Sequence, residues 1–327
     1  MPRHDPIYPM EAKLVASLPV GPGWLYEPKW DGFRCLAFKD GSSVELQAKS
    51  GKLLTSFFPE VVSAVAAIKV ERAALDGELR IVIDGKAAFD ALQMRLHPAA
   101  SRIKKLSLET PASLVIFDTL LSAKGEPLHD RPLSERRRAL QKLASKLPAI
   151  ITLTESTEDL KTAQRWLKSG YAGTDGVIAK QLELPYRFGE RAMIKVKRIR
   201  TADCVVGGFR YGQGSKLVGS LLLGLYDDQG LLNHVGFTSA LADVDKAALT
   251  AKLEKLIAPP GFTGDAPGGP SRWTTERSAE WQPLKPELVV EVSYDHVTGN
   301  RFRHGTRLLR WRPDKAPTQC TFEQISS

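Results

Sequence analysis

Two-thirds of the way along, the pattern of this chain changes character, and that switch limits its folds more than any other feature. Up to about residue 197, strand-like and helix-like segments alternate; beyond it come short strands with glycine-rich joints and a single helix-like stretch. The first pattern needs sheets with helices packed on them, whereas the second is that of a small β-barrel. One bundle, one sandwich or one doubly wound sheet cannot accommodate both. The 327 residues are also enough for two hydrophobic cores. The seam is expected at 199–203, just after a run of Lys and Arg, giving domains 1–199 and 200–327.

Within the first part, residues 33–39 and 44–49 read as strands about Asp40-Gly41-Ser42-Ser43, a hairpin signal. Residues 57–68 read as a helix with Ser56 as its cap. Apolar, β-rich runs at 75–83 and 113–120 read as strands, and 134–147 and 157–168 as helices, the latter closed by Gly170. A short strand is expected at 176–180. The second part offers strands at 203–209, 217–226, 232–237, 288–294 and 308–312, a helix at 243–257 and a loop rich in Pro, Gly and Ser at 258–278. Five short strands with one helix fit a barrel of the oligonucleotide-binding (OB) type.

Composition excludes other classes. With 43% hydrophobic and 25% charged residues the chain is neither disordered nor collagen-like. No apolar run approaches the ~18–20 residues that cross a bilayer. Met1-Pro2-Arg3-His4-Asp5 has no apolar stretch behind it, so no secretory signal is read. Cys35, Cys204 and Cys320 are odd in number and far apart, which fits reduced thiols in a cytosolic protein rather than disulfides or zinc. The formal charge is +9, and it is concentrated. Tyr186 to Lys216 holds eight basic residues against two acidic, and His296 to Lys315 six against one. Nucleic acid or a nucleotide polyphosphate is the natural partner.

The sharpest motif is Glu27-Pro28-Lys29-Trp30-Asp31-Gly32-Phe33-Arg34. A neutral lysine can form a phosphoramidate with a nucleotide, and glycine lets backbone approach a ligand. Taken alone, Lys-x-Asp-Gly is a turn with a surface lysine. It is not alone. Leu75-Asp76-Gly77-Glu78 puts two carboxylates on one strand face, able to hold Mg²⁺ or a ribose hydroxyl. Phe117-Asp118 sets an aromatic that could stack on a base, or pack in a core, beside an aspartate that needs a partner. Thr174-Asp175-Gly176-Val177-Ile178-Ala179-Lys180 brings another carboxylate into a strand, with a lysine at its exit. Met193-Ile194-Lys195-Val196-Lys197 aims two lysines the same way, a clamp for phosphate oxygens.

In order and spacing these five elements resemble the motifs of the covalent nucleotidyltransferase superfamily of DNA ligases, RNA ligases and capping enzymes. The nearest likeness is to bacterial ATP-dependent DNA ligases of the ligase C type and the ligase domain of ligase D. Arg307-Leu308-Leu309-Arg310-Trp311-Arg312-Pro313-Asp314-Lys315 resembles that family's last motif. The resemblance spans nearly the whole chain. It implies an α+β fold, with an adenylation (nucleotidyltransferase) domain of antiparallel sheets with helices, then an OB-fold domain. It implies sealing of 5′-phosphate/3′-hydroxyl nicks through AMP carried on Lys29, with ATP and Mg²⁺ or Mn²⁺. Arg34 and Glu78 would meet the ribose region, Phe117 would stack on adenine, and Glu27 would contact adenine through its backbone. Lys195 and Lys197 would hold the α-phosphate, and Asp175 with Glu78 the metal. Arg307, Arg310 and Arg312 belong to the motif that orients pyrophosphate, and the seam would be a hinge.

Two departures stand out. Aspartate replaces the family's glutamate at Asp175, and Ala48-Lys49-Ser50-Gly51 replaces Ser-Arg-x-Gly, so Lys49 offers a point charge, not a fork. Lys49, Arg210 and Lys216 are the expected nucleic-acid contacts. Gly207 to Lys216 fails the phosphate-loop template and reads as a strand-to-strand turn. Arg136-Arg137-Arg138 reads as a solvated helix face rather than a binding patch, Trp166 as core, and no histidine has ligand spacing. Family analogy adds nicked DNA, Ku and a primase-polymerase as partners, a monomer, and a place in the bacterial cytoplasm and nucleoid. The rival readings are an RNA ligase or capping-type enzyme, and a nucleic-acid-binding relative without chemistry.

Overall fold

The computed structural model describes residues 7–241, 245–268 and 280–325. The expected leader, with His4, lies outside the described residues, as do residues 269–278 of the expected loop and 243–244 of the expected helix. The chain divides into two compact units, Met1–Arg198 and Ile199–Ser327.

The first unit runs β1 (Ala12–Leu14), β2 (Trp24–Pro28), β3 (Phe33–Asp40), β4 (Ser43–Ala48), α1 (Pro59–Ala66) and β5 (Arg72–Arg80). The two-residue strands β6 (Val82–Ile83) and β7 (Lys86–Ala87) follow, then α2 (Phe89–Arg95), α3 (Ala100–Glu109) and β8 (Ser113–Thr119). It ends with α4 (Leu133–Ala144), β9 (Ile151–Leu153), α5 (Leu160–Ser169), β10 (Gly176–Gln181) and β11 (Met193–Lys197). These strands build a five-stranded sheet in the order β4-β3-β5-β8-β9 and a four-stranded sheet in the order β1-β11-β10-β2. The β3–β4 hairpin closes with Asp40 opposite Ser43.

Three local expectations need correction. The sheets are not wholly antiparallel: β1 pairs with β11, and β8 with β9, in parallel. β9 follows β8 through α4, and a helical crossover returns the chain in the same direction. Ser56 does not cap α1. Pro59 takes the first helical position, where its missing N–H costs little, and forces Phe58 out of helical conformation. Residues Thr55–Phe57 form a separate 3₁₀ turn. Helices α2 and α3 were not expected; α3 buries only Ile103 and Ser107. By contrast α5 ends at Gly170 as expected, though it starts at Leu160 rather than at 157. The Asp159 carboxylate accepts from the N–H groups of Lys161 and Thr162, and Gly170 ends it in left-handed conformation.

Helices α1, α2 and α4 contribute Val61, Leu92 and Leu140 to the core of the five-stranded sheet, with Leu79 and Leu114. Ala163 and Trp166 of α5 pack on Tyr26, Val177 and Val196 of the four-stranded sheet. A smaller cluster draws Ala74 of β5 and Met193 of β11 together with Tyr186, locking one sheet to the other. Each such fully buried aliphatic side chain contributes roughly 1.5–3 kcal/mol.

The second unit runs β12 (Arg200–Tyr211), β13 (Val218–Tyr226), β14 (Leu232–Ala240), α6 (Lys246–Glu254), β15 (Gln282–Pro283), β16 (Val289–Tyr294), β17 (Val297–Thr298), β18 (Arg301–Phe302) and β19 (Thr306–Trp311). Pairings run β12-β13-β14-β19-β16 and return to β12, so the sheet closes on itself. This is an OB-fold barrel, with its helix between the third and fourth barrel strands. Val205, Phe209, Leu221, Val235 and Val290 fill it.

Candidate active site

The β2 strand ends at Pro28, and the next residue is pinned by backbone. Lys29 N–H donates to the Gly176 carbonyl at 2.9 Å, and the Lys29 carbonyl accepts from Asp175 N–H at 3.2 Å. This ladder brings the two motifs together across 146 residues of chain. The Lys29 Nζ lies 2.8 and 2.9 Å from the two carboxylate oxygens of Asp175. Past the lysine the loop lies directly on β5, where a Cβ on Gly32 would fall 2.0 Å from the Leu79 carbonyl oxygen. Only glycine permits that approach.

Arg34 on β3 stands opposite Glu78 on β5. Its guanidinium grips Asp76 with two bonds of 2.6 and 2.7 Å, and Tyr186 Oη donates to the same carboxylate at 2.5 Å. Asp76 is fully buried. The two carboxylates of this strand are thus not equivalent ligands: Asp76 fixes Arg34, and Glu78 lines the cavity. Burial pushes the Glu78 carboxyl up to about 7, against the pull of Arg34 and Lys29.

Phe117 on β8 lines the same cavity. Its ring has the Arg34 guanidinium 4.7 Å and the Lys180 ammonium 4.5 Å from its centroid. The Glu27 carboxylate is buried, with Lys180 at 2.7 Å and Arg137 at 3.2 Å. The solvated face expected for Arg136-Arg137-Arg138 is therefore wrong for two of three. Arg136 is fully buried on Asp118, with bonds of 2.8 and 2.9 Å, and only Arg138 faces solvent. The signal was present in Asp118, a carboxylate in an apolar strand that had to find a cation. Nothing in the spacing of Lys180 or Arg137 marked either as a partner of Glu27.

Lys195 on β11 also lines the cavity, as does Lys49 just past β4. Burial, then Lys29, Lys197 and Lys49, hold the Lys195 ammonium below the ordinary lysine pKa. Lys197 lies two residues on, on the same strand face, and is half-buried. Lys49 pairs with Glu11 at 2.9 Å. Its place is thus beside the nucleotide lysines. The cavity is open to solvent on one side and lined by Glu27, Lys29, Trp30, Arg34, Glu78 and Lys195.

The second unit holds the remaining candidates. Arg307 and Arg310 are exposed on β19, Arg310 pairing with Glu291 at 2.6 Å. Arg312 is tied to Asp203 and Asp314. Arg210 is half-buried near the end of β12, and Lys216 is exposed in the turn that follows.

Among the described residues no group of three or more His, Cys, Asp or Glu forms a cage for a metal ion. Glu78 lines the cavity and Asp175 contacts Lys29, so a Mg²⁺ ion here would take most of its ligands from phosphate and water.

A lysine amine flanked by carboxylates and further lysines, with an aromatic wall, defines a site for covalent nucleotidyl transfer. Comparison with known proteins makes this specific. Residues 9–197 match the ATP dependent DNA ligase domain family, and 214–315 the ATP dependent DNA ligase C terminal region. DNA ligase C2 of Mycolicibacterium smegmatis is 44% identical, the match covering 100% of this chain and 96% of that protein. DNA ligase C of Mycobacterium tuberculosis is 41% identical over 99% and 95%. The crystal structure of the ligase domain of M. tuberculosis LigD aligns with a TM-score of 0.52 at 28% identity, covering 98% of this chain and 99% of that one. A mycobacterial DNA ligase D complexed with ATP aligns at 0.50 and 26%, covering 98% and 99%. The chain belongs to the ATP-dependent DNA ligase family. Its activity is that of an ATP-dependent DNA ligase. Among the described residues no helix is long and apolar enough to cross a membrane.

Proposed function

We propose that Lys29 is the nucleophile and that the surrounding side chains divide the work of three successive phosphoryl transfers. The observation that carries this is the position of the Lys29 amine, in contact with Asp175 and in one cavity with Glu78, Phe117 and Lys195. In the first step the neutral amine attacks the α-phosphorus of ATP. A P–N bond forms, the P–O bond to the β-phosphate breaks, and pyrophosphate leaves. Asp175 is placed to receive or hold the amine proton. Lys195 and Lys197 stabilise charge on the equatorial oxygens, and Arg307 and Arg310 orient the leaving pyrophosphate. Mg²⁺, held by Glu78 and Asp175, would neutralise phosphate charge. Phe117 stacks on adenine, Arg34 and Glu78 meet the ribose, and Glu27 contacts adenine through its backbone. In the second step the 5′-phosphate of a nick takes AMP from Lys29. In the third the 3′-hydroxyl attacks that phosphate, the phosphodiester forms and AMP leaves. Lys49, Arg210 and Lys216 contact the nucleic acid.

Resemblance to ligase C and ligase D proteins supports a setting in end joining or excision repair at the nucleoid. In that setting the protein acts as a monomer, with Ku or a primase-polymerase alongside. Intact mass after incubation with ATP and Mg²⁺ tests the chemistry: one AMP is gained by the wild type and none by Lys29→Ala. No gain by AMP-free wild type overturns it. Gain from GTP in place of ATP, or sealing of RNA nicks alone, favours the capping or RNA-ligase reading.

A further inference from the structure

Arg80 has no part in the roles described so far. It is the last residue of β5, two positions beyond Glu78 and therefore on the same face. Its guanidinium carbon lies 4.1 Å from the centroid of the Trp30 ring. Trp30 directly follows the nucleophile, lines the cavity, and is fixed by a 2.8 Å bond from its Nε1 to Thr154 Oγ1. Arg80 is thus stacked on a rigid shelf next to Lys29.

What sets Arg80 apart is that, among the described residues, no carboxylate pairs with it. Arg34 has Asp76, Arg136 has Asp118 and Arg137 has Glu27, each within ion-pair distance. Among the described residues no carboxylate comes within that distance of Arg80, and its Nε is buried without a hydrogen-bond partner. Glu78 and Asp31 act on it only through space, and burial holds its pKa below the ordinary arginine value. A partly desolvated cation without a partner is costly, and folded chains normally relieve it with an acid. Here the acid is missing next to a site that handles phosphates.

We propose that Arg80, held over the Trp30 ring, binds a phosphate group beside Lys29. The planar fork suits phosphate oxygens, and the indole shelf removes much of the ordering cost of a long side chain. This rests on the ligase reading. The same chemistry has two sources, the β- or γ-phosphate of ATP and a backbone phosphate of nicked duplex.

Arg80→Gln and Arg80→Lys, compared with wild type, separate them. One arm measures AMP uptake against ATP concentration without DNA. The other measures sealing of a nick that already carries 5′-AMP, which bypasses ATP. The Gln variant is expected to lose roughly tenfold or more in one arm, and lysine to recover part of the loss by restoring the charge. Loss confined to the first arm, as a raised KM for ATP, assigns the nucleotide phosphates. Loss confined to the second assigns DNA. Wild-type rates in both arms overturn the proposal. So does an equal loss in both that lysine does not repair and that tracks a lowered melting temperature, which would mean packing alone. Failure of the wild type itself to take up AMP would count against the ligase reading, not against Arg80.

Discussion

Glu78 is a carboxyl group placed against its own ionisation. Burial lifts it to about 7, and the nearby cations only moderate the rise. A carboxyl raised above its unfolded value near 4.3 binds more protons in the native state than in the unfolded chain across that interval. Native stability therefore falls as pH rises from about 4 to 7, and stays low above. Glu78→Gln removes the cost. In metal-free protein it should raise stability at pH 8 by up to about 4 kcal/mol, since each tenfold change in proton affinity is worth ~1.4 kcal/mol, and leave it nearly unchanged at pH 4. Denaturant unfolding at the two pH values measures this, and a Gln variant less stable at pH 8 would contradict it. The same substitution should reduce AMP uptake, because a carboxylate kept near the nucleophile at a cost in stability is kept for its chemistry.

At the scale of elements, the site depends on how closely loops lie on strands. Gly32 is the tightest such place, with no room for a methyl group against the Leu79 carbonyl. Gly32→Ala should force residues 29–33 off β5, lowering AMP uptake at least tenfold while the barrel unit keeps its fold. Rate measurements on AMP-free protein, with circular dichroism as a control, check this. Helix α4 gives a second case. Removing one partner of the buried Arg136–Asp118 pair should cost ~3–5 kcal/mol, whereas replacing both with apolar residues of similar volume should recover most of it. A double-mutant cycle by urea unfolding decides. These two elements also show what a sequence can and cannot reveal. The Lys29 and Asp175 motifs, the Gly170 end of α5 and the succession of barrel strands were all legible, because each rests on local spacing or turn chemistry. The fate of Arg136 and Arg137 was not. Their acids lie 18 and 110 residues away, and three adjacent arginines look alike until packing selects which of them point inward. Helix α1 was misread at its start because one proline outweighed a serine cap. Asp76 and Glu78 looked equivalent because period-two spacing reports a face and not the partners waiting there.

For the whole molecule the governing quantity is charge. The chain carries a formal +9. Much of its basic character around the nucleotide cavity is already answered by acids within the same unit, as with Arg34, Arg136 and Arg137. What is left for a polyanion are cations such as Lys216, exposed in the turn after β12 and in no ion pair among the described residues. Arg312 is a poor candidate by the same reasoning, since Asp203 and Asp314 already hold it at 2.9 Å each. If each phosphate contact releases about 0.9 counterion on binding duplex DNA, the logarithm of affinity for nicked DNA should fall linearly with the logarithm of salt. Lys216→Ala should then reduce that slope by about 0.9, weaken binding equally across nick sequences, and leave AMP uptake from ATP, which needs no DNA, unchanged. Arg312→Ala should do the opposite, lowering the melting temperature of the barrel through loss of the Asp203 tie and changing the slope little. Fluorescence anisotropy over a salt series, beside thermal melting, tells the two apart. An unchanged slope for Lys216→Ala would remove it from the DNA contacts, and Arg307, exposed on β19, would be the next to test by the same series.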